Sequence, residues 1–456
     1  MWESFIETVT KVNDWVNGVV WGWPMIVMIL GTGILLTVRT KVLQVRKFGE
    51  SLSSTIVPVV KGLGKKQGKR DKNSISQFEA FSAAISGTVG TGNIIGVTSA
   101  ILTGGPGAVM WMWISAFVGM VTNYSENVLG LYYRRKEKDG SFSGGAFYYI
   151  AYGLKQNWLG LFAAVFCLLA ATGMSGVQTN KITGSFISVL NTDETWVKLL
   201  IGSVVALFAA VVIIGGIKRI GRIASMLVPF MSVLFIIMSF IIIGKNIGAV
   251  PETFRLIFSS AFSAKAVAGG VGGFVFSQII KKGLARGVFS NEAGLGSSVI
   301  AHSASETREP VKQGLWGIFE VFFDTFVICT LTALVVLTTN IGNGSYENGS
   351  FFGTTNAAGE FVGASDSATS LSAFSSNLGT FGTVTFLTIL PLFAFTTILA
   401  WSYYGEKAMD FCFRNTSEKA RKNATMIFKV AYILLIVFSS LIGSDLIWAL
   451  DDTFNG

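Results

Sequence analysis

The chain has 456 residues, of which 51% are hydrophobic and only 13% are charged, and its formal net charge is +9. About a quarter of the residues of a soluble domain are charged, so this composition excludes an ordinary soluble protein and favours a polytopic membrane protein. The basic residues lie in the short loops between apolar runs, a pattern typical of membrane topology and of contact with anionic lipid rather than nucleic acid.

Apolar runs long enough to cross a bilayer recur along the whole chain. We predict spans at 15–38, 78–103, 107–133, 158–182, 197–217, 223–244, 257–288, 313–339, 380–405 and 424–443. The closing segment "SDLIWALDDTFNG" looks like the opening of an eleventh span. The stretch 41–64 is too polar to span, so we predict an amphipathic segment on the membrane surface, and 144–154 is similar.

The distribution of lysine and arginine predicts the orientation. The stretch 39–72 holds ten basic and two acidic residues, and further basic loops follow at 134–138, 218–222, 281–286 and 414–422. Counting spans from the first of these loops places all of them on one side. We therefore predict that the basic loops are cytoplasmic and that the N-terminus lies outside.

Two predicted spans contain glycine clusters that weaken a helix. Span 78–103 is interrupted by "SGTVGTGN", and span 257–288 by "AGGVGGFVFSQ" at 268–278. Each glycine costs about 1 kcal/mol relative to alanine inside a helix. Backbone opened within lipid must be satisfied by protein, an ion or a water-filled cavity. Close helix packing is the alternative explanation of such clusters.

The interrupted spans are five apart, so the second copy runs through the membrane in the opposite direction. This predicts two inverted five-helix repeats, each opening with a broken helix, which is typical of transporters. We assign 1–75 to an extra N-terminal helix with its surface segment, 76–247 to the first repeat and 248–456 to the second. We expect the last helix to be incomplete.

Four longer motifs resemble the alanine or glycine:cation symporter family over essentially the whole chain. They are "SGTVGTGNIIG" at 86–96, "GGPGAVMWMWISAFVG" at 104–119, "SNEAGLGSS" at 290–298 and "AWSYYGE" at 400–406. The resemblance implies an all-α membrane protein of about 11 transmembrane helices with a LeuT-like five-plus-five inverted-repeat core. It also implies Na⁺-coupled symport of small neutral amino acids, alanine and glycine first.

A zwitterionic amino acid needs donors for its carboxylate and acceptors for its ammonium. The amides of Thr91 and Gly92, which precede a half-helix, can donate to the carboxylate with help from the helix dipole. Unwound carbonyls at Gly87 and Thr88 would accept from the ammonium. The side chain of Asn93 is placed to complete these contacts.

The second interrupted span offers a further set of candidates. We expect unwound carbonyls at 270–273, including that of Gly273, and a polar contact from Gln278. Three side chains are candidates for the walls of the pocket, with ordinary core packing as the alternative: Phe274, Phe276 and Met174. Asn291 lies in a family motif but nearer the cytoplasm, so we rank it lower.

Sodium prefers a dry cage of five or six oxygens. Ser86 and Val89 would supply carbonyls from the unwound stretch. In "PLFAFTTILAW", Thr396 and Thr397 supply adjacent hydroxyls, and the carbonyl of Phe393 lies one turn earlier. The arrangement resembles the sodium site between the first and eighth core helices of the wider fold group. Such threonines also commonly bond back to their own helical turn.

The ionisable residues bear on the choice of coupling ion. A proton-driven carrier generally needs a carboxylate or a histidine within the membrane, and the interrupted stretches contain none. We place His302 near the cytoplasmic side. We interpret Glu126, Glu320 and Asp324 as structural partners of the basic residues Lys281, Lys282 or Arg286, or as gates. The acid-free core then favours Na⁺ over a proton.

Other functions remain open from the residues alone. A proton-coupled carrier and an ion channel are the alternatives, since glycine-rich backbone can also line a selectivity filter. The chain lacks the metal-protease, nucleotide-binding and paired-cysteine motifs of common enzymes, so we expect no catalytic residues and no organic cofactor. The expected partners are a small amino acid, Na⁺ and the lipid of an inner or plasma membrane.

Overall fold

Long apolar helices follow one another along the chain, as the hydropathy pattern predicts. The computed structural model describes residues 16, 18, 21–62, 75–138, 140–262, 270–344, 353–355, 361–363 and 365–442, without the side chains at 60, 62, 270–276 and 353–363. Within these residues, two short antiparallel strand pairs are the only sheets, and the rest of the regular structure is helical.

In the first half of the chain, the described residues form the helices named here and one strand pair. The helices are α1 Trp23–Arg39, α2 Leu43–Arg46, α3 Phe48–Gly62, α4 Gln77–Thr88, α5 Ile95–Gly104, α6 Ala108–Tyr133, α7 Ala146–Gly153, α8 Asn157–Leu190 and α9 Thr195–Ile213. A 3₁₀ turn, Thr91–Asn93, lies between α4 and α5, and strands β1 Arg135–Lys136 and β2 Phe142–Ser143 pair after α6.

The second half of the chain is also mainly helical, with one short strand pair. Its helices are α10 Gly216–Lys245, α11 Val250–Ala261, α12 Gly270–Asn291, α13 Val299–His302, α14 Pro310–Val321, α15 Thr330–Gly342, α16 Asp366–Cys412 and α17 Glu418–Ser439. A 3₁₀ turn, Ile247–Ala249, precedes α11, and a π-helical segment, Phe322–Cys329, joins α14 to α15. Strands β3 Gly353–Thr355 and β4 Phe361–Gly363 pair before α16.

Nine of the ten predicted spans coincide with a helix or with a bent helix pair. Six described helices are long and apolar enough to cross a membrane, and the bent pair α4 and α5 makes a seventh. The remaining span, 257–288, does not coincide with one helix. Its start belongs to α11, which ends at Ala261, and the rest belongs to α12, Gly270–Asn291, so this span prediction is wrong. The closing segment lies outside the described residues.

The predicted interruption at 268–278 is also corrected. From Gly270 onward the backbone is helical through Gln278, so the carbonyls at 270–273, including that of Gly273, belong to the first turns of α12 rather than to an unwound stretch. Residues 268 and 269 lie outside the described residues.

The segment predicted to lie on the membrane surface is helical and packs on the bundle. In α3, the Ser51 hydroxyl donates to the Leu315 carbonyl of α14 at 2.7 Å. The Phe48 ring packs edge-on against the Phe322 ring, with 4.8 Å between the ring centroids. The shorter helix α7 is buried more deeply, since the rings of Phe147 and Tyr148 both pack on Phe411.

The long helices α8 and α16 form the centre of the bundle. Trp401 and Tyr404 of α16 are among the largest fully buried side chains, and the Tyr432 hydroxyl of α17 donates to the Ile398 carbonyl of α16 at 2.8 Å. Gly379, with φ 58°, interrupts α16 near its start. Apolar side chains exposed along α9, such as Leu207 and Phe208, form a surface suited to lipid.

The basic loops 134–138 and 414–422 meet on one face of the bundle, which we call the basic face. Arg134 donates to the carbonyls of Ser303 and Ser305 at 3.0 and 2.6 Å, and burial lowers the pKa of Arg134 to about 10. Arg421 pairs with Asp410 at 2.6 Å and with Glu137 at 3.2 Å. These contacts agree with the prediction that these two loops share one side. The prediction is wrong for residues 281–286, which lie within α12 and pack on Gly104 and Ala108, at the opposite end of α6 from Arg134. Which side is cytoplasmic stays a prediction.

Two glycines four residues apart let α12 approach α6 closely. A Cβ added to Gly283 would lie 2.5 Å from the Ala108 carbonyl oxygen and 2.6 Å from the Trp111 Cβ. A Cβ on Gly287 would lie 2.9 Å from the Ser115 Cβ. Small residues at this spacing allow backbones to pack directly in membranes.

We predict that Gly283→Ala lowers the melting temperature of the detergent-purified protein by several degrees. The added methyl group meets backbone that has no room to move, and overpacking of this kind costs about 1–3 kcal/mol. The control is Gly184→Ala in α8, where a Cβ meets nothing within 4 Å. An equal loss in both variants would contradict the close-packing explanation.

Candidate functional site

The glycine-rich stretch of the first interrupted span is a true helix break. Helices α4 and α5 are bent by 57° relative to each other. Val89 leaves the helical conformation with ψ 88°, and Gly90 is extended with φ −128° and ψ −156°. The predicted interruption within "SGTVGTGN" is therefore confirmed.

Side chains take up the backbone groups that the break releases. The Gly90 amide donates to Asn93 Oδ1 at 2.9 Å, and the Thr91 amide donates to Gln178 Oε1 of α8 at 3.1 Å. In a continuing helix these amides would pair with the carbonyls of Ser86 and Gly87. Those two carbonyl oxygens have therefore lost their helical donors.

The released carbonyl of Ser86 has a new partner on α16. The Thr397 hydroxyl lies 2.9 Å from the Ser86 carbonyl oxygen and 3.0 Å from the Phe393 carbonyl oxygen. The contact joins the break directly to the central helix. Three oxygens from two helices thus meet beside the break.

Gly90 is the residue that allows this approach. A Cβ at this position would lie 2.5 Å from Thr397 Oγ1 and 3.3 Å from Gln178 Oε1. Since Thr397 and Gln178 belong to different helices, the break is held between α8 and α16.

The two adjacent threonines of α16 do different things. Thr397 reaches the break, whereas the Thr396 hydroxyl bonds back to the carbonyls of Leu392 and Phe393 at 3.1 and 3.0 Å and lies 3.7 Å from Met231 Sδ. The alternative that threonine pairs bond within their own helix therefore describes Thr396 fully and Thr397 in part. Val89 is fully buried, and its amide still donates to the Ile85 carbonyl.

A buried carboxylate adjoins the other side of the break. Asn93 Nδ2 donates to Asp324 Oδ1 at 2.5 Å, while the Ser290 and Thr325 hydroxyls lie 3.0 and 2.8 Å from Asp324 Oδ2. Asp324 lies in the π-helical segment, a rare geometry that is frequent at functional sites. Asn291 joins this cluster by donating to the Thr325 hydroxyl at 3.1 Å.

This carboxylate corrects the interpretation of the core as acid-free. Asp324 bonds to Asn93 of the broken helix rather than to a lysine or arginine. Glu126 accepts from the Gly294 amide at 3.1 Å, and Glu320 lies 2.7 Å from His302 Nε2. The three acids therefore have partners other than the basic residues near 281–286 that we expected.

The histidine lies in a buried polar cluster between the break and the basic face. His302 Nδ1 is 2.6 Å from Gln313 Nε2, and both side chains are fully buried. Burial lowers the pKa of His302 to about 3, so the imidazole is neutral at neutral pH. Its contact with Glu320 is then a hydrogen bond rather than an ion pair.

On the face opposite the basic loops, the start of α16 closes over the bundle. Lys181 of α8 pairs with Asp366 at 3.3 Å, and the Thr98 hydroxyl of α5 lies 2.8 Å from the Ser370 hydroxyl. Both acidic and basic side chains line a cavity of about 300 Å³ here. The half-helix α5 is thus tied to α16 at this end as well.

The predicted substrate residues of the first span lie partly in the helix α4 and partly at the break. Ser86, Gly87 and Thr88 are helical, because the break begins at Val89, three residues later than we expected, and Thr88 bonds back to the Ile85 carbonyl at 3.2 Å. The side chains of Thr91 and Asn93 are buried, and Gly92 faces the Phe289 ring.

The second set of candidates is described incompletely. Met174 is buried and accepts from Gln178 Nε2 at 3.2 Å, so it adjoins the break. Gln278 is half-buried on α12. The side chains of Phe274 and Phe276 lie outside the described residues.

Two important contacts were missed in the sequence. Gln178 follows Met174 by one helical turn in "ATGMSGVQTN", and this spacing was the available signal for it. Ser290 is the first residue of the motif "SNEAGLGSS", but the motif does not indicate that its hydroxyl contacts a carboxylate. Its importance depends on Asp324, which is 34 positions away along the chain.

Comparison with known families gives a match along nearly the entire chain. Residues 6–456 match the family model described as "Sodium:alanine symporter family". The sodium/alanine symporter AgcS of Methanococcus maripaludis is 37% identical over 456 residues, which cover 99% of this chain and 92% of that protein. The probable sodium/glutamine symporter GlnT of Bacillus subtilis is 35% identical over 441 residues, covering 96% and 84%.

Solved structures share the fold. MhsT, solved in complex with L-phenylalanine, superposes with a TM-score of 0.59 at 14% identity over 84% of this chain and 87% of that chain. A Na⁺-coupled sialic acid symporter in an outward-open state gives 0.55 at 12% identity over 86% and 78%. A LeuT-like helical fold is therefore confirmed, whereas the count of 11 helices and the repeat boundaries stay predictions.

We predict that Gln178→Leu destabilises the protein. The substitution leaves the buried Thr91 amide without an acceptor, which costs about 1–3 kcal/mol. Thermal unfolding of the purified protein measures the effect. Gln156→Leu, at an exposed position just before the same helix, is the matched control. A melting temperature that is equal in both variants would show that Gln178 does not hold the break.

Proposed function

The chain belongs to the sodium:alanine symporter family, and we propose that it couples Na⁺ entry to the uptake of small neutral amino acids, alanine and glycine first. The observation that carries the proposal is the contact between the released Ser86 carbonyl and the Thr397 hydroxyl at the break. Opened backbone inside a membrane helix is the usual binding element of secondary transporters. The family is one of transporters, so the function is movement of a solute rather than catalysis.

The sodium ion would bind between the break and α16. The proposed ligands are the carbonyls of Ser86, Val89 and Phe393 and the hydroxyls of Thr396 and Thr397. All five are neutral oxygens, as expected for a weakly held monovalent cation. In support, Thr397 already lies within 3.0 Å of two of these carbonyl oxygens. Thr396 shares the Phe393 carbonyl and needs only a rotation of its hydroxyl hydrogen to present a lone pair.

The carboxylate of the amino acid would bind at the start of α5. Here the amides of Thr91 and Gly92 and the positive end of the helix dipole favour an anion. Gln178 Oε1 now accepts from the Thr91 amide. A substrate carboxylate would replace this acceptor, so Gln178 would hold the amide in place between transport cycles.

The rest of the substrate would lie between the break and α12. The released Gly87 carbonyl, with that of Thr88, would accept from the ammonium, and Asn93 and Gln278 would complete the polar contacts. Met174 borders the break and would limit the size of the substrate side chain. We assign the same role to Phe274 and Phe276, and a further polar contact to Asn291 at the C-terminal end of α12.

Sodium and substrate would stabilise one another through the break. An ion held by the Ser86 carbonyl and Thr397 fixes the end of α4, and this positions the amides at the start of α5. The resulting coupling free energy is reciprocal, so each ligand raises the affinity for the other. Alternating access would follow from movement of the broken helix against α8 and α16, with the basic face cytoplasmic, the N-terminus outside and the protein in the inner or plasma membrane.

We predict that purified protein in proteoliposomes accumulates radiolabelled alanine when a sodium gradient is imposed. Uptake should saturate with alanine, because a carrier binds its substrate in each cycle. Accumulation driven by a proton gradient alone would contradict the sodium site. A flux that persists without alanine would instead indicate a channel.

We predict that Thr397→Ala raises the Na⁺ concentration for half-maximal uptake about tenfold. The variant removes one oxygen ligand, and about 1.4 kcal/mol corresponds to a factor of ten. Thr388→Ala is the matched control, since this exposed threonine of the same helix bonds back to the Val384 carbonyl. An unchanged sodium dependence in Thr397→Ala would remove this residue from the proposed site.

We predict that Gln278→Ala raises the alanine concentration for half-maximal uptake more than it changes the sodium dependence. The side chain is proposed to contact the substrate and not the ion. Initial rates at varied alanine and fixed saturating Na⁺ measure this effect. Asn93→Ala should act in the same direction, and normal affinities for both ligands in both variants would overturn the substrate site.

A further inference from the structure

The carboxyl group of Asp324 is a fully buried group that the sodium and substrate sites do not use. Asn93, Ser290 and Thr325 contact it, and all three are neutral. No ion pair joins Asp324 to a lysine or arginine among the residues that the structure describes. An ionised carboxylate within the membrane is costly without a positive charge beside it.

The directions of two hydrogen bonds to this group are fixed by the backbone. The Gly90 amide can only donate, so it sets the Asn93 oxygen towards itself and the Asn93 nitrogen towards Asp324 Oδ1. In the same way, the Ala293 amide donates to Asn291 Oδ1 at 3.1 Å, so Asn291 Nδ2 donates to the Thr325 hydroxyl. Thr325 is then left to donate its own hydrogen to Asp324 Oδ2.

Ser290 is the one partner whose hydrogen can point in either of two directions. Its hydroxyl lies 3.0 Å from Asp324 Oδ2 and 3.2 Å from Cys329 Sγ. When Asp324 is ionised, Ser290 donates to Oδ2. When Oδ2 carries a proton, Ser290 accepts that proton in a hydrogen bond and donates its own hydrogen to Cys329. Both charge states therefore satisfy every partner without movement of a heavy atom.

We propose that Asp324 is a proton-binding site coupled to the broken helix through Asn93. The proton comes from the aqueous phase and supplies the positive charge that the carboxylate otherwise lacks. The protonated form fits the arrangement described here, because it places no net charge beside the break. Loss of the proton keeps the hydrogen bonds but leaves a buried negative charge without a positive partner, which disfavours this arrangement.

The other titratable groups around this site are acids and a thiol. Cys329 Sγ lies 4.0 Å from Asp324 Oδ2. Glu320, one turn earlier on the same helix, and Glu292, at the end of α12, act on Asp324 through their charges. The charge of Glu320 acts in turn on Glu126 of α6, and the turn Thr91–Asn93 contributes no titratable group. Each of these groups, when ionised, would strengthen the hold of Asp324 on its proton.

The first test is the pH dependence of Na⁺-driven alanine uptake, which rests on the proposed function. Initial rates are measured in proteoliposomes from pH 5.5 to pH 9, with equal pH on both sides. We expect the wild type to follow a single-proton curve and Asp324→Asn, which keeps the shape of the neutral form, to vary less than about twofold. Asp193→Asn removes an exposed aspartate and should follow the wild type.

The same variants separate a proton from an alkali ion. If Asp324→Asn lowers the Hill coefficient for Na⁺ and keeps the wild-type pH profile, the carboxylate binds an alkali ion and the proposal is wrong. If Asp324→Asn keeps both the wild-type pH profile and the wild-type Hill coefficient, the proposal is also wrong. If the wild type accumulates no alanine, the proposed function fails, and the proton site is then tested by thermal unfolding alone.

Thermal unfolding of the purified protein gives this independent readout. Because the folded form holds the proton, we expect the melting temperature of the wild type to fall as the pH rises, while that of Asp324→Asn changes less. Parallel curves for the two proteins would overturn the proposal.

Ser290→Ala tests the site with Asp324 in place. A hydrogen bond to a charged group is about twice as strong as a neutral one. Loss of Ser290 therefore weakens the ionised form more and should move the midpoint of the pH profile upward by about one pH unit. Ser225→Ala, at a half-buried position on α10 where the hydroxyl bonds back to the Arg222 carbonyl, should leave the midpoint unchanged. An unchanged midpoint in Ser290→Ala would contradict the proposed role of this hydroxyl.

Discussion

The need to satisfy open backbone inside a membrane governs the centre of this protein. A helix that breaks at Val89 and Gly90 releases amides and carbonyls where water is absent. Asn93 and Gln178 take the amides, and Thr397 takes a carbonyl. The surrounding helices are therefore positioned by hydrogen bonds to the break as well as by apolar packing. A solute that competes for these groups acts on several helices together.

Two kinds of neighbour lie on the two sides of the break. Towards α8 and α16 the groups are neutral oxygens and an amide side chain, a setting suited to a monovalent cation and a carboxylate. Towards the π-helical segment lies the buried carboxyl of Asp324, joined to the break by Asn93. Asn93 contacts both the Gly90 amide and this carboxyl. A change of charge on the carboxyl therefore changes the strength of the hydrogen bonds that hold the backbone at the break.

Much of the architecture could be predicted from local sequence patterns. Nine of the apolar runs coincide with a helix or a bent helix pair, and the glycine cluster located the break, because both are properties of short contiguous stretches. Thr397 of α16, which reaches the break, was also predicted, from its resemblance to a sodium site of the wider fold group. The second glycine cluster was misjudged, because "GGVGGFVFSQ" forms helix from Gly270 despite its composition. Helix propensity is weak evidence where tertiary packing decides.

The acids were misjudged for a different reason. Glu320 and Asp324 lie one turn apart on one predicted helix face, and ion pairs with the basic residues at 281–286 were expected for them. Their partners, His302 for one and Asn93 for the other, lie 18 and 231 positions away and are fixed only by the fold. Sequence spacing does not show which neighbour a buried carboxylate will meet.

The tight fit around Gly90 has an evolutionary consequence. The glycine has no room for a larger side chain because Thr397 and Gln178 occupy the space, and each of those residues serves a group exposed by the same break. A substitution at any one of the three positions changes how much the residues at the other two contribute to stability, so the effects of substitutions there are not additive. Single substitutions at these positions are therefore disfavoured during evolution. A relative with a different residue at one of the positions should carry compensating replacements at the others.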